Sequence, residues 1–130
     1  METVVVCASK KFKDEVAQFC MDLGNLGVAV FQPNINEPIP EDSFFHSKHF
    51  TRMLFKGLTL EHFDWIRKAD VCFVYNKDNY VGVSVTLEIG YASALGKPIF
   101  ALSDKTGDPC RDSLIDKVVA TPALLAELLK

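Results

Sequence analysis

Glu88 is the side chain with the strongest claim to chemistry in this sequence of 130 residues. It follows a continuous apolar run at residues 71–75 and a polar loop that contains Gly82. Such a run predicts a strand buried on both faces, and parallel sheets bind ligands in the loops at the carboxyl ends of their strands. A carboxylate near the start of the next helix would therefore face a pocket, where it can act as a nucleophile.

The expected position of Glu88 in its helix favours the charged carboxylate. Ser84 is the predicted N-cap, which places Glu88 about one turn into the helix, near unpaired N–H groups. Those dipoles favour the ionised form by about 0.3 to 1 kcal/mol at an exposed helix end. The same spacing is also an ordinary way to stabilise a helix, so it leaves a structural and a catalytic interpretation open.

The loop after the first predicted strand is a second candidate for binding. Ala8, Ser9 and Lys10 run from that strand into a helix, so free N–H groups, a hydroxyl and an ammonium can hold a phosphate or sugar hydroxyls. An ordinary helix start would use the same residues. The loop lacks both the glycine pattern of dinucleotide sites and the Gly-Lys-Ser/Thr end of a phosphate-binding loop, which disfavours the familiar dinucleotide and ATP sites.

The loop after the apolar run adds further candidates. Asn76, Gly82 and Ser84 are predicted to contact substrate, and Asp78 is predicted to receive or deliver a proton while Glu88 acts elsewhere. No serine lies in a Gly-x-Ser-x-Gly elbow, and no cysteine occupies an obviously activated position. Serine and cysteine hydrolase chemistry therefore lacks support.

The histidines give only a weak metal signal. His46 and His49 stand three residues apart and can meet on one helical face, with His62 as a third nitrogen. No carboxylate or cysteine adds a supporting spacing. The sequence therefore predicts no metal site, and His62 is expected to have a packing role.

Size and charge restrict the broad class of the protein. A chain of 130 residues with 48% apolar and 24% charged residues suits one globular domain spanning residues 1–130. The formal net charge of −3, without a basic stripe, argues against a nucleic-acid partner. No stretch approaches the roughly 18 apolar residues that cross a bilayer, so no membrane span is expected. Four cysteines without a Cys-x-x-Cys pair suit a reducing cytoplasm.

Apolar periodicity divides the chain into alternating strands and helices. This alternation predicts an α/β three-layer sandwich with about five parallel strands, most simply in the order 2-1-3-4-5. Strands 1 and 3 are then neighbours, and their carboxyl-end loops flank the point where ligands bind. The predicted strands are residues 3–7, 28–31, 71–75, 99–102 and 118–120. One helix is predicted to begin near Phe12, and a short helix is predicted from Lys48 to Phe55. Three further helices are predicted to follow the caps Thr59, Ser84 and Thr121, the first of them starting at Leu60 and the last at Pro122. Residues 32–47 are predicted to form an irregular loop.

The segment around the glutamate resembles a known family. Residues 69–76, Gly82, residues 86–92 and residues 96–98 are similar to the nucleoside 2-deoxyribosyltransferase superfamily, which includes 2'-deoxynucleoside 5'-phosphate N-hydrolases. The resemblance implies a flavodoxin-like sheet and a glutamate nucleophile, here Glu88, that attacks the anomeric carbon of a nucleoside or nucleotide. It implies no metal or organic cofactor, and a homodimer or larger homo-oligomer in which a neighbouring subunit often completes the pocket.

Two positions depart from the transferase pattern. The transferases carry an aspartate six residues before the nucleophile, where this chain has Gly82, and a tyrosine near the end of strand one, where it has Val5 and Cys7. The hydrolase branch holds a 5'-phosphate with serines and backbone amides, a role that the resemblance carries over to Ser9 and Ser84. The expected function is cleavage or transfer at an N-glycosidic bond. The alternatives are a non-catalytic nucleotide-binding or sensor domain, and an interaction scaffold in which the glutamate only neutralises a helix end.

Overall fold

The computed structural model describes residues 3–34 and 47–130. Within those residues, five parallel strands form one sheet in the order β2-β1-β3-β4-β5, which confirms the predicted α/β architecture and strand order. The strands are β1 (Thr3–Cys7), β2 (Ala29–Phe31), β3 (Val71–Val74), β4 (Ile99–Ala101) and β5 (Lys117–Val118). The helices are α1 (Lys13–Asn25), α2 (Lys48–Lys68), α3 (Val83–Ala94), α4 (Pro109–Asp112) and α5 (Pro122–Leu128), with 3-10 turns at Lys10–Phe12 and Lys77–Asn79.

The two central strands are buried on both faces. Every residue of β3, and every residue of β1 after Thr3, is fully buried, as expected for apolar runs between two helical layers. Val4 lies opposite Val71, and Cys7 lies opposite Val74. Because β1 and β3 end at the same level, the loops that follow them lie side by side at the edge where parallel sheets bind ligands.

Helices α2 and α3 cover the face of the sheet that carries the predicted site. Ile66 of α2 and Ile89 of α3 belong to one buried cluster with Val5, Cys7 and Cys72. The opposite face packs against α1 and α5. The side chains of alternate residues of β1 therefore belong to two different apolar layers.

Helix α2 is one continuous helix of 21 residues, so the prediction of two helices separated by a Thr59 cap was wrong. The N-cap is Ser47, whose Oγ accepts a hydrogen bond from the Phe50 N–H at 3.1 Å. Thr59 lies inside the helix, and its Oγ1 donates to the Phe55 carbonyl at 2.7 Å. A threonine hydroxyl can bond back to the previous turn as well as cap a new one, and the apolar periodicity on its two sides is in phase.

Helix α3 begins two residues earlier than predicted, because Gly82 and not Ser84 is the N-cap. Ser84 is the second residue of the helix, and Thr86 Oγ1 donates to the Gly82 carbonyl at 2.8 Å. Glu88 therefore lies in the second turn rather than one turn from a serine cap. The helix ends at Ala94 and Gly96 follows with φ of 71°, which confirms the predicted glycine stop.

The remaining boundaries differ little from the predictions. Thr121 caps α5, and Pro122 is its first residue, as predicted. The loop after β4 contains α4, whose N-cap Asp108 accepts hydrogen bonds from two backbone N–H groups. Residues 35–46 of the predicted irregular loop, including His46, lie outside the described residues. In the described parts of the chain, no helix combines the length and the apolar character that a membrane crossing requires.

Candidate functional site

A cleft of about 430 Å³ opens where the loops after β1 and β3 meet the amino end of α3 and one side of α2. Most of the residues that the sequence predicts for the site line this cleft. Neither Asn76 nor Asp78 belongs to its lining. The nominated residues that line it are Ala8, Ser9, Lys10, Gly82, Ser84 and Glu88.

Glu88 presents its carboxylate to this cleft from the inner side of α3. Val85 and Ile89, one turn before and one residue after it, are buried against the sheet. The Glu88 side chain is 12% exposed, and its Oε1 lies 3.0 Å from Nε2 of His62, which is 10% exposed. The carboxylate is therefore fixed by one strong contact and has little contact with bulk water, a setting in which electrostatic interactions are stronger than at the surface.

His62 reaches Glu88 from α2 and also touches the sheet. Its Nε2 lies 3.3 Å from Sγ of Cys7, the last residue of β1. A neutral Nε2 carries either one proton or one lone pair, so it either donates to Glu88 or accepts from the Cys7 thiol. The imidazole thus connects a carboxylate on one side to a thiol on the other.

Cys7 is fully buried and has a second sulfur beside it. Its Sγ lies 3.3 Å from Sγ of Cys72, which is a contact between two free cysteines and not a disulfide. The hydrogen bond with Cys72 and burial raise the pKa of the Cys7 thiol well above its usual range, and the nearby charge of Glu88 acts in the same direction. Cys7 is therefore a thiol at neutral pH as long as no cation lies beside it.

The first loop combines a local structural role with a place in the cleft. Ser9 Oγ accepts a hydrogen bond from the Lys11 N–H at 3.2 Å and so caps the 3-10 turn, as an ordinary helix start would. The Lys11 ammonium lies 4.4 Å from the centre of the Tyr80 ring, a cation–π contact that joins the loops after β1 and β3. The Ser9 hydroxyl keeps its own proton and a second lone pair for a ligand.

The amino end of α3 forms another wall of the cleft. Gly82, Ser84 and the neighbouring Tyr80 line it, and Ser84 is exposed. A Cβ at position 82 would lie 3.5 Å from Oη of Tyr80, which is an ordinary van der Waals distance. The contact with Tyr80 therefore does not require a glycine at this position. The helix end carries partial positive charge, which favours an anionic group of a ligand here.

Asn76 and Asp78 shape the edge of the sheet instead of lining the cleft. Asn76 is fully buried, and its Nδ2 donates to the carbonyls of Ser103 at 3.0 Å and of Lys105 at 2.6 Å. Its Oδ1 accepts from the Ser103 N–H at 3.1 Å. Asp78 is exposed and lies in the left-handed region with φ of 57°. The amide of Asn76 is thus fully committed to the loop after β4.

The architecture is similar to that of a solved enzyme. A solved 2-deoxyribosyltransferase from the psychrotolerant bacterium Bacillus psychrosaccharolyticus is similar to the chain with a TM-score of 0.67 and 22% sequence identity, over 95% of this chain and 90% of that one. The chain has the 2-deoxyribosyltransferase fold. That bacterial enzyme is described as a biocatalyst for the synthesis of antiviral and antitumoral nucleosides. The resemblance predicted from residues 69–98 is therefore confirmed at the level of the fold.

A second solved structure is similar to this chain in fold. It is a conserved protein from Enterococcus faecalis V583, with a TM-score of 0.65 and 17% identity, over 99% of this chain and 97% of that one. No protein-family model and no curated protein sequence matches the chain. The fold is thus similar in proteins whose sequences are only 17% to 22% identical to this one.

Within this 2-deoxyribosyltransferase fold, the sequence did not predict that His62 and Cys7 lie beside Glu88. The only available signal was helical spacing, since His62 stands four residues before the buried Ile66 and so shares its face of α2. Cys7 occupies the end of β1, where the resemblance led to the expectation of a tyrosine. In this structure Glu88 makes a polar contact with the imidazole of His62.

Proposed function

We propose that the protein cleaves or transfers at the N-glycosidic bond of a nucleoside or nucleoside 5'-monophosphate, with Glu88 as the nucleophile. The observation that carries the proposal is the Glu88 carboxylate, which lines the cleft at the carboxyl edge of the sheet and is held at 3.0 Å by His62. A cleft of about 430 Å³ falls within the usual range for small-molecule sites. The shared fold of a 2-deoxyribosyltransferase supports the same reaction class.

The proposed reaction needs only a carboxylate, a proton source and water. A Glu88 oxygen attacks C1′ of the sugar while the bond from C1′ to the base nitrogen breaks, and the base leaves with the electron pair. The base takes a proton from water in the cleft, and the sugar remains as an ester of Glu88. Water then attacks C1′, and the bond from C1′ to the Glu88 oxygen breaks, which restores the carboxylate and releases the sugar. The proton given up by this water neutralises the hydroxide that the first step left. In the transfer reaction, the nitrogen of a second base attacks C1′ instead.

The walls of the cleft supply the proposed contacts to substrate. The Ser9 hydroxyl, the Lys10 ammonium and the Ser84 hydroxyl can bind a 5'-phosphate or sugar hydroxyls beside the amino end of α3. The backbone of Ala8 and of Gly82 borders the same space. Because the described Asp78 is exposed and outside the lining, we assign the proton of the leaving base to water and not to this carboxylate.

The activity is tested by following release of free base from a panel of nucleosides and nucleoside monophosphates by chromatography. We expect Glu88→Ala and Glu88→Gln to slow release at least about 10³-fold, as loss of a nucleophile does in other enzymes. Glu127→Gln, at an exposed glutamate of α5, is the matched control and should react as the wild type does. Release that persists in both Glu88 variants contradicts the proposal. Adding a second free base distinguishes transfer from hydrolysis.

A sensor that binds a nucleotide without cleaving it is the second candidate. It is favoured by Cys7 and Gly82, which stand where the resemblance leads to the expectation of a tyrosine and an aspartate. Calorimetric titration with the same panel separates the two functions. Binding without release by the wild type and by Glu88→Gln supports the sensor, whereas release that is lost in the variant supports the enzyme.

We further propose that the protein works as a homo-oligomer in the cytoplasm. Val83, Leu87 and Phe55 line the cleft and are 82%, 56% and 60% exposed, so a second copy that covered them would remove apolar surface from water. The free state of all four cysteines fits a reducing compartment. Sedimentation equilibrium tests the assembly, because a mass of 14.5 kDa at all concentrations would contradict it.

A further inference from the structure

Three potential metal ligands meet at the floor of the cleft. Sγ of Cys7, Nε2 of His62 and a carboxylate oxygen of Glu88 all lie within 4.8 Å of one another. They come from β1, α2 and α3, which are three separate elements of the fold. The fold therefore assembles a thiol, an imidazole and a carboxylate that are far apart in the sequence.

Nε2 of His62 is close to both of the other donor atoms of this cluster. Nε2 of His62 lies 3.0 Å from Glu88 Oε1 and 3.3 Å from Cys7 Sγ. Without a metal, a neutral Nε2 can donate to the carboxylate while the Cys7 thiol donates to Cys72, 3.3 Å away. A cation at the centre would replace these hydrogen bonds by bonds to the metal, because the imidazole lone pair, the thiolate and the carboxylate can all point to it at once.

We propose that Cys7, His62 and Glu88 bind one Zn²⁺ ion at the floor of the cleft. Zinc accepts this donor set, with bonds of about 2.3 Å to sulfur and about 2.0 to 2.2 Å to nitrogen and oxygen. A tetrahedron with such bonds has edges of about 3.3 to 3.6 Å. The separations of 3.0 Å and 3.3 Å from Nε2 are close to those edges. The sulfur of Cys7 and the carboxylate oxygen of Glu88 lie within 4.8 Å of each other, so side-chain rotation is needed to close the third edge.

Charge and access both suit this ion. Thiolate and carboxylate together carry two negative charges, so the occupied centre is neutral and escapes the cost of an uncompensated charge in a largely dry place. On binding, the Cys7 thiol gives its proton to solvent as the sulfur–zinc bond forms. Because His62 and Glu88 line the cleft, the fourth position of the tetrahedron opens into it and takes a water molecule or a ligand atom.

Cys72 supports the site from behind. Its Sγ lies 3.3 Å from Sγ of Cys7 on the adjacent strand, and both residues are fully buried. A thiol there can donate a hydrogen bond to the metal-bound thiolate, in the way that outer groups orient and tune first ligands elsewhere. We therefore assign Cys72 a positioning role and not a place among the ligands.

The zinc site does not depend on the proposed glycosidic reaction, although the two compete for Glu88. A carboxylate bound to zinc is not free to attack a sugar carbon. If the glycosidic activity exists, added Zn²⁺ should inhibit the wild type, and chelation should restore the rate. The binding measurement below gives its answer whether or not any nucleoside is cleaved.

The site is tested by titrating the full-length, metal-free protein with Co²⁺ and recording its absorption spectrum. We expect one Co²⁺ per chain, a near-ultraviolet charge-transfer band from the thiolate, and displacement by one equivalent of Zn²⁺. Cys7→Ser should abolish the band. Loss of a group that only hydrogen-bonds a metal ligand weakens metal binding about 10- to 100-fold. His62→Ala and Glu88→Gln each remove a ligand itself, so each should weaken Co²⁺ binding by more than that. Cys72→Ser should keep the band and weaken binding within that range.

Matched controls come from the same residue types elsewhere in the chain. Cys110→Ser and His49→Ala change an exposed cysteine and an exposed histidine, and both variants should bind as the wild type does. Circular dichroism establishes that each variant is folded, and if Cys7→Ser is not, His62→Ala and Glu88→Gln decide the question. Absence of saturable one-to-one binding, or binding that survives in those two variants, overturns the proposal.

Discussion

Nε2 of His62 lies 3.0 Å from Oε1 of Glu88, which joins the two helices that flank the cleft. His62 belongs to α2 and Glu88 to α3, and both helices pack on the same face of the sheet. The carboxylate therefore has a fixed direction before any ligand arrives. A catalytic group that is already oriented lowers the entropic part of the activation barrier.

The first prediction concerns this contact. If Glu88 is the nucleophile, His62→Ala should lower kcat about 100-fold and change KM little, because a misdirected carboxylate still leaves the walls of the cleft in place. His62→Gln, whose amide can still donate a hydrogen bond, should recover part of the rate. Steady-state kinetics on the best substrate of the panel measures both constants. An unchanged kcat in His62→Ala would show that the imidazole does not position the carboxylate.

A second prediction concerns the buried amide of Asn76. Asn76→Ala should lower the free energy of unfolding by about 2 to 4 kcal/mol, because the carbonyls of Ser103 and Lys105 lose a buried donor. Urea denaturation followed by circular dichroism measures the change. Asp78→Ala, at an exposed residue two positions later, is the control. If the two variants unfold alike, the amide is not a structural link.

Third, the start of α2 can be tested with a pair of substitutions. Ser47→Ala removes the observed N-cap and should destabilise the protein by about 1 kcal/mol. Thr59→Ala removes a hydroxyl that bonds back inside the helix, so its effect should stay within about 0.5 kcal/mol of zero. Thermal unfolding of the two variants compares them directly. The opposite ranking would restore the two-helix prediction.

A fourth prediction compares two glycines of the Glu88 helix region. Gly96 has φ of 71°, so Gly96→Ala should destabilise the protein by about 1 to 2 kcal/mol. Gly90 lies inside α3, and a Cβ there would meet no atom within 4 Å. Gly90→Ala should therefore stabilise by up to about 1 kcal/mol through helix propensity. Melting temperatures of equal value for both variants would contradict this assignment of backbone strain.

The fifth prediction is a pH dependence at Asp112. Hydrogen bonds from the Thr106 hydroxyl and N–H to the carboxylate lower the pKa of Asp112 below its ordinary value of 3.8. A carboxylate whose pKa is lower in the folded protein than in the unfolded chain stabilises the fold at pH values above its unfolded-state pKa. This stabilisation is lost as the pH falls through its folded-state pKa. Asp112→Asn should thus be less stable than the wild type above pH 3.8, and the difference should shrink below it. Urea midpoints across the acid range test this, and a difference that grows on acidification would contradict it.

Much of the fold could be read from local sequence patterns. The runs at residues 4–7 and 71–75 are continuous and apolar, as is typical of a strand between two helical layers, and the structure has strands there. Thr121 followed by Pro122 marks a helix start by local chemistry alone. With strands and helices in alternation, chirality and short connections leave few arrangements, and the observed order is the simplest of them.

Local patterns failed where one residue type can serve two structures. Ser84 and Thr59 both have the side chain of an N-cap, and neither is one, because a hydroxyl in the first turn or inside a helix has other partners. Sequence position alone also does not reveal that the Asn76 amide bonds a second loop, 27 residues away at Ser103. Whether a polar side chain binds a ligand or the protein depends on which backbone groups the packed chain leaves beside it.

The sequence by itself determined the kind of sheet, its strand order, and the edge of the sheet beside which Glu88 lies. Only the tertiary structure decided what stands beside that carboxylate. Cys7, His62 and Glu88 come together because β1, α2 and α3 pack in one layered arrangement. Periodicity along the chain predicts which face of each element is buried, but the contacts between elements follow from the packing of their side chains in three dimensions.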